Sequence, residues 1–311
     1  MRLDQFLAGK EDVKSRALAQ KLIDAGLVLV NGKKVKKASF QVEDKDKVTY
    51  EQLPPPAVPT KKVGSTPLPV LYEDDMCMVI NKPLGISVHP GAGMAADEIT
   101  VLDALEPLFA ERELPFSAAE VLVHRLDKDT TGCLLIAKTP KAHLELQKQF
   151  ATRSVNKKYL ALVWSTPNPP VALIDAPIGR HSTERTKMSV HRAMQSKSAI
   201  TGYRTIDAKR GPLTSIKTDV ALLECELHTG RTHQIRVHLA TIQHPILGDV
   251  TYGSSESQDF SAKLGIENIC LHAWKLEFDS PLKKKKHVSV ECPIPDRFQA
   301  LIKKIGLRME D

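Results

Sequence analysis

The sequence has few of the features that mark several common classes of protein. Its five cysteines are widely spaced and form no C-x-x-C pair, which argues against a disulfide framework or a structural zinc site. No apolar run approaches the ~18 residues that a membrane-spanning helix needs. The N-terminus carries an acid at Asp4 and has no apolar stretch typical of a signal peptide. We therefore expect a protein of the reducing cytoplasm with no membrane partner.

Motifs for cofactor and nucleotide chemistry are also missing. There is no Walker-type loop, no G-x-G-x-x-G and no G-x-S-x-G elbow. His228, His233 and His238 recur every five residues, but we interpret this segment as a strand, where such spacing places alternate residues on opposite faces. No carboxylate or cysteine within the segment completes a set of ligands. The sequence thus predicts neither a metal site nor a cofactor.

Length and charge point to two domains with a polyanionic partner. The chain has 311 residues, 42% of them hydrophobic and 26% charged, as expected for about two folded domains. Its 44 Lys and Arg residues exceed its 37 Asp and Glu residues, giving a net charge of +7. This excess favours nucleic acid as the partner, although many proteins without such a role are mildly basic.

A proline-rich segment marks the boundary between the domains. Six prolines between Glu51 and Pro69 oppose both helix and central strand, so residues 51–69 should form a semi-rigid linker. We therefore predict a small module over residues 1–50 and a larger domain over residues 70–311.

The first 50 residues contain 11 basic and 7 acidic residues and show a distinctive order of motifs. A short helix ending near Gly26, two short strands and the turn Asn31-Gly32 are predicted. The order Arg2-Leu3-Asp4, Ser15-Arg16, Leu22-Ile23, Gly26 and Val30-Asn31-Gly32 resembles the S-four-like RNA-binding module, a small α/β fold. The resemblance implies a groove for structured RNA, while the alternative is a basic domain that only aids folding. The residues expected to contact RNA are Arg2, Lys14, Arg16 and Lys33.

Beyond the linker, the pattern favours an α+β domain over a doubly wound nucleotide-binding fold. Thr139-Pro140 is typical of a helix start, and a last helix is predicted over Asp296–Ile305, before Gly306. Strands are predicted at "KKYLALVW", "VALLECEL", "QIRVHLA", "ICLHAWKLEF" and "HVSVEC". The four lysines Lys283 to Lys286 are interpreted as a solvated hairpin turn.

The stretch "HRLDKDTTG" places charged residues between two apolar runs that we expect to be buried strands. A carboxylate there would tend to take up a proton unless a nearby arginine opposes this. An ionised and partly desolvated carboxylate can act as nucleophile or base on a neutral heterocycle.

Four segments in order carry a second resemblance. They are "INKPLGISVHPG", "HRLDKDTTG", "KKYLALV" and "HTGRTHQIRVHLATIQHPILGDVTYG", and from Leu71 onward they resemble RluA-type pseudouridine synthases. With the N-terminal module, they resemble the branch of that family that acts on large-subunit ribosomal RNA. The resemblance implies a mixed, largely antiparallel central sheet with flanking helices. It also implies cofactor-free isomerisation of a flipped uridine, with the ribosomal RNA of the large subunit as partner and a monomeric enzyme.

The same resemblance implies roles for single residues. Asp127 would be the catalytic aspartate, Arg231 would pair with it, and Tyr159 would lie on the uracil and take the proton from the ring carbon. Attack on the base, attack on the sugar and a glycal path all remain open. Arg125 would fill the space that the flipped base leaves, or else form an ion pair that shapes the loop. Asp129 is expected to cap a turn, and His124 and His233 to be hydrogen-bonded structural residues.

A basic segment between the Tyr159 strand and Arg231 could clamp the RNA backbone or simply be a solvated loop. Its predicted RNA contacts are Arg180, Arg185, Lys187 and Arg192. Two rival functions stay open: a non-catalytic RNA-binding factor and a glycosylase that uses the same carboxylate. Convergence of Asp127, Tyr159 and Arg231 on one pocket would favour an enzyme.

Overall fold

A computed structural model describes residues 1–10, 13, 15–43, 45–51, 66–91, 94–95, 97–191, 193–211, 219–282 and 286–309. The chain divides into two compact units, Met1–Lys61 and Lys62–Asp311. Most of the predicted linker lies outside the described residues, as do Lys14, Arg192 and three of the four lysines of the predicted hairpin turn. Within the described residues, no helix has the length and apolar character needed to cross a bilayer.

The first unit packs two helices on a small antiparallel sheet. Its elements are α1 (Leu3–Ala8), α2 (Arg16–Asp24), β1 (Val28–Val30), β2 (Lys33–Lys34) and β3 (Val48–Tyr50), with the strand order β2-β1-β3. The hydroxyl of Ser15 accepts a hydrogen bond from the Leu18 amide at 3.2 Å and so caps α2. Asn31 and Gly32 both have positive φ, 52° and 78°, as a tight two-residue hairpin turn requires.

The second unit is built on one large sheet. Its strands are β4 (Val70–Glu73), β5 (Cys77–Lys82), β6 (Thr131–Ala137), β7 (Asn156–Trp164), β8 (Val171–Asp175), β9 (Ile178–His181), β10 (Met188–Ser189), β11 (Ala193–Lys197), β12 (Ile200–Lys209), β13 (Val220–Leu227), β14 (Leu271–Ser280) and β15 (Lys286–Glu291). The order in the nine-stranded sheet is β4-β5-β6-β14-β7-β13-β12-β8, with β15 paired to β14. The β6–β14 pair is parallel and the other pairs of this sheet are antiparallel, which confirms the predicted mixed sheet. Strands β9, β10 and β11 form a separate small sheet.

Helices and loops cover the large sheet on both faces. The helices are α3 (Val101–Glu111), α4 (Pro140–Ala151), α5 (Gln234–Thr241), α6 (Ser255–Lys263) and α7 (Asp296–Ile305). On β6, Leu134 and Ile136 belong to the larger core, while Cys133 and Leu135 belong to a smaller core that includes residues of α4. Such burial on both sides explains why β6 and β7 are almost continuously apolar.

Two predicted strands are wrong. Val121–Val123 is irregular and makes only an isolated bridge from Leu122 to Ile136. The segment "QIRVHLA" is helix α5, not a strand. Its apolar residues alternate, but Gln234 and His238 are buried as well, because both find hydrogen-bond partners at Thr201. A helix that is buried on several sides loses the hydrophobic periodicity by which helices are recognised in a sequence.

Candidate active site

A buried lysine holds the loop that carries Asp127. Lys82 ends β5, and its ammonium donates hydrogen bonds to the carbonyls of Pro83 at 2.8 Å, Ile86 at 2.8 Å and Lys128 at 2.9 Å. Burial lowers the pKa of Lys82 to about 8, and the charges of Asp129 and Asp127 oppose that shift. The segment "INKPLG" and the loop "HRLDKDTTG" are thereby tied together.

A glycine allows the same loop to lie against the sheet. Gly132 has a φ of 114°, and a β-carbon there would overlap the backbone of Ala273 on β14. Next to it, the hydroxyl of Thr131 is 2.8 Å from Nδ1 of the buried His272. These contacts fix the start of β6, two residues after the exposed Asp129.

The loop opens onto a cavity of about 480 Å³. Asp127, Tyr159 and Arg231, the three predicted catalytic residues, all line it, together with Arg125 and Arg236. Side chains from three distant parts of the chain therefore meet in one pocket of a size that is typical of ligand sites.

The arginine beside Asp127 is Arg236, so the predicted pairing with Arg231 is wrong. Nη1 of Arg236 lies 3.4 Å from Oδ2 of Asp127. Arg231 lies in the turn before α5, where its Nε donates to the carbonyl of Ser198 at 3.0 Å. Arg236 is in the first turn of α5, and the helix directs its side chain toward Asp127. The segment had been predicted to be a strand.

Asp249 holds Arg236 from behind. Its two carboxylate oxygens accept from Nε at 2.8 Å and Nη2 at 3.0 Å, and its side chain is only 1% exposed. The guanidinium also lies 5.0 Å from the ring centroid of Tyr252. Burial alone would lower the pKa of Arg236, but the hydrogen bonds and charge of Asp249, with the charge of Asp127, raise it above its ordinary value. Arg236 is thus a permanent, oriented cation.

Tyr159 lies on β7 and is 6% exposed. Its pKa is raised above its ordinary value by burial first and then by the charges of Asp127 and Cys133. The phenol is therefore neutral in the resting pocket.

Both units of the chain match known protein families. The model of the RNA pseudouridylate synthase family matches residues 76–241, and the S4 domain model matches residues 1–48. The chain belongs to the RNA pseudouridylate synthase family. The ribosomal large subunit pseudouridine synthase D of Zymomonas mobilis is 36% identical to it over 307 residues, which cover 97% of this chain and 93% of the relative. The enzyme of the same name from Vibrio cholerae is 37% identical, covering 95% and 88%.

A solved structure agrees with the assignment. Human RNA pseudouridylate synthase domain containing 4 matches with a TM-score of 0.59 and 29% identity, covering 78% of this chain and 94% of that one. The predicted fold class and the family are therefore confirmed.

The two histidines of the site serve its structure, as expected. Nε2 of His124 accepts from the Leu135 amide at 2.8 Å, its ring stacks on Phe150, and burial lowers its pKa to about 3. Nδ1 of His233 is 2.7 Å from the hydroxyl of Tyr252, and burial lowers the pKa of His233.

Gln234 is an important residue that sequence analysis missed. Its Oε1 accepts from the Thr229 hydroxyl at 2.7 Å and from the Arg231 amide at 3.0 Å, while Nε2 donates to the Ile200 carbonyl at 3.0 Å. It shapes the turn before α5. Its place inside the motif "HTGRTHQIRVH" was the available signal.

Arg125 and Asp129, two charged residues of the loop, are both exposed. Arg125 is exposed at the pocket, and among the described residues no acid pairs with it, so the alternative of a loop-shaping ion pair is not formed. Asp129 is exposed, and its carboxylate accepts no backbone hydrogen bond within the described part of the chain. The predicted capping role is wrong; the charge of Asp129 acts on Lys82 and Lys128 instead.

The other predicted RNA contacts that the structure describes in the second unit do not line the pocket. Arg180 is exposed on β9, Arg185 is exposed beyond it, and Lys187 pairs with Glu184 at 2.6 Å. The small sheet that carries them is joined to the site by Met188, whose amide donates to the Tyr252 hydroxyl at 2.9 Å.

In the first unit, two predicted contacts share one acid. Arg2 and Arg16 bind the carboxylate of Asp4 at 3.0 and 2.9 Å, and the hydrogen bond from Arg2 is the main reason that the pKa of Asp4 falls to about 2. Lys33 is exposed on β2. Each arginine keeps about half of its side chain exposed, at 43% and 56%.

Proposed function

We propose that this chain converts uridine to pseudouridine in ribosomal RNA of the large subunit. The observation that carries the proposal is the meeting of Asp127, Arg236 and Tyr159 in one cavity of about 480 Å³. The relatives named ribosomal large subunit pseudouridine synthase D support the choice of RNA.

Asp127 is the reactive carboxylate. In the net reaction the N1–C1′ bond breaks, the C5–C1′ bond forms, the proton leaves C5 and N1 takes up a proton. Nη1 of Arg236 lies 3.4 Å from Oδ2 of Asp127, and Arg236 is itself held by Asp249. The Asp127 carboxylate is therefore oriented by the protein's own side chains. A preorganised charge of this kind costs little reorganisation during the reaction.

Tyr159 packs on the flipped uracil and receives the C5 proton. Because burial keeps the phenol neutral, its oxygen can accept the C5 proton only as its own hydroxyl proton passes to water at the pocket, from which N1 takes up the proton that it gains. Asp127 is the anion whose charge acts on this phenol.

Basic side chains of both units bind the RNA. Arg125, which has no ion-pair partner among the described residues, fills the space left by the flipped base, and Arg231 contacts RNA at the pocket mouth. Backbone contacts are proposed for Arg2, Lys14, Arg16 and Lys33 of the module at residues 1–50, and for Arg180, Arg185, Lys187 and Arg192 of the domain at residues 70–311.

We further propose that the enzyme acts as a monomer in the cytoplasm. Asp127, Arg236 and Tyr159 already meet within one chain, so the proposed chemistry requires no residue from a second copy. The five cysteines are free and buried, which suits a reducing compartment.

The decisive experiment incubates large-subunit ribosomal RNA with the purified full chain and maps pseudouridine at single-nucleotide resolution. New pseudouridine at defined positions, with no release of free uracil, is the expected result. Release of the base would indicate a glycosylase, and binding without either product would indicate a non-catalytic RNA-binding factor.

A further inference from the structure

A second cavity of about 560 Å³ adjoins the active-site pocket. The two share Arg153, Leu227 and His228 in their walls, so they form one continuous groove. The far wall of the second cavity includes Ile200 and Leu173, and Leu173 is 66% exposed on the edge strand β8. Within the described part of the second unit, none of the predicted RNA contacts lines this second cavity.

Arg153 stands at the junction in an unusual backbone conformation. It follows Thr152, the C-cap of α4, and has a φ of 60°. Glycine is the residue usually found in this left-handed position, and a residue with a β-carbon costs about 1 kcal/mol there. A strained residue whose side chain is exposed at two cavities indicates a function for that side chain.

Lys157 adds a second cation beside Arg153. It is 8% exposed, lines the active-site pocket and lies 5.7 Å from the centroid of the Phe150 ring. Burial first, and then the charge of Arg153, lowers the pKa of Lys157. Among the described residues, no acid forms an ion pair with either cation, so an anion from outside would relieve their repulsion.

The acids nearby do not supply that anion. Glu224 pairs with Lys158 at 3.3 Å and with Arg204 at 3.7 Å. Glu226 lines the second cavity, and 44% of its side chain is exposed. Its Oε1 lies 4.0 Å from Nδ1 of His228. A carboxylate in that position can accept a hydrogen bond from the amino group of a base.

We propose that the groove binds the nucleotide adjacent to the flipped uridine, with Arg153 and Lys157 on the phosphate that joins the two and Leu173 beside the neighbouring base. The inference rests on the proposed function, since it extends the same RNA strand out of the pocket. Its chemistry combines paired cations for a phosphate with an apolar wall for a base or ribose.

Arg153→Gly tests the site without harming the fold, because glycine suits a φ of 60°. We expect unchanged or higher stability, about tenfold weaker RNA binding, and a slope of log affinity against log salt that is shallower by ~0.7. Gln243→Gly makes the same backbone change after α5, where φ is 65°, and Lys141→Ala removes an exposed charge from α4. Both controls should bind RNA as the wild type does. Equal binding by Arg153→Gly and wild type would overturn the proposal.

The phosphate is identified with RNA oligonucleotides from the large-subunit RNA in which single phosphates are replaced by neutral methylphosphonates. One replacement beside the target uridine should weaken wild-type binding about tenfold and leave Arg153→Gly unaffected. Equal losses in both proteins at every position would overturn the site. Binding is measured apart from turnover, so the groove and the proposed activity are tested separately. Isomerisation without any phosphate whose replacement affects only the wild type refutes the groove alone. Such a phosphate without isomerisation supports the groove and refutes the proposed activity.

Discussion

Nη1 of Arg236 lies 3.4 Å from the carboxylate of Asp127, while the rest of its guanidinium is held by the buried Asp249. One planar cation thus links a partly exposed carboxylate at the pocket to a carboxylate inside the protein. A lysine has neither the planar shape nor the number of fixed donors to make these contacts together.

Arg236→Lys should therefore reduce the single-turnover rate of pseudouridine formation by ~100-fold or more, since the reactive carboxylate loses its orientation. Arg231→Lys is the matched variant, and its rate should stay within about fivefold of wild type because Arg231 contacts the Ser198 carbonyl. The reverse order of effects would mean that Arg231 is the functional partner of Asp127.

Asp127→Asn should lower the single-turnover rate of isomerisation by ~10²–10⁴-fold or more and leave RNA affinity nearly unchanged. Asp129→Asn is the control, because this acid is exposed two residues away and lines no part of the pocket. Single-turnover assays and equilibrium binding on the same RNA distinguish chemistry from binding. Near-normal turnover by Asp127→Asn would refute its catalytic role.

Lys82 should make stability depend on pH in the alkaline range. Its pKa falls from 10.5 to about 8 on folding, so between these values the unfolded chain retains a proton that the folded chain has lost. The free energy of unfolding should therefore rise with pH across this window, by up to ~1.4 kcal/mol per pH unit from this group.

Lys82→Met should remove that contribution and lower stability at neutral pH by about 3 kcal/mol, because three carbonyls lose their donor. Urea unfolding at several pH values measures both effects. Lys141→Met, at an exposed position, should keep the wild-type slope. An identical slope in Lys82→Met and wild type would contradict the assignment.

Gly132→Ala should destabilise the second unit by ~3 kcal/mol or more, since the new methyl group overlaps the backbone of Ala273 and forces β6 away from β14. Gly85→Ala is the control: φ is 77° there, but nothing lies within 4 Å, so only about 1 kcal/mol of backbone strain is expected. Thermal and urea unfolding give the comparison. Equal losses in the two variants would show that backbone conformation, not the close approach to β14, requires Gly132.

Local patterns in the sequence were sufficient for many elements. The start of α4 at Thr139-Pro140, the end of α7 before Gly306 and the strand around Tyr159 all depend on neighbouring residues and short-range chemistry. Helix α5 was missed because its buried polar residues are satisfied by Thr201, which is 33 residues away from Gln234.

The sequence by itself determined which segments carry the chemistry, because the charged loop and the arginine-rich turn each follow an apolar run and, with the tyrosine strand, stand in the order of the family's motifs. Only the tertiary structure decided which side chains face one another. The family resemblance suggested Arg231 as the partner of Asp127, whereas the structure places Arg236 there, and neither Asp249 behind Arg236 nor the cations beside the second cavity showed a local signal. Such pairings are set by packing between distant segments, where a residue's neighbours in space are not its neighbours in the chain.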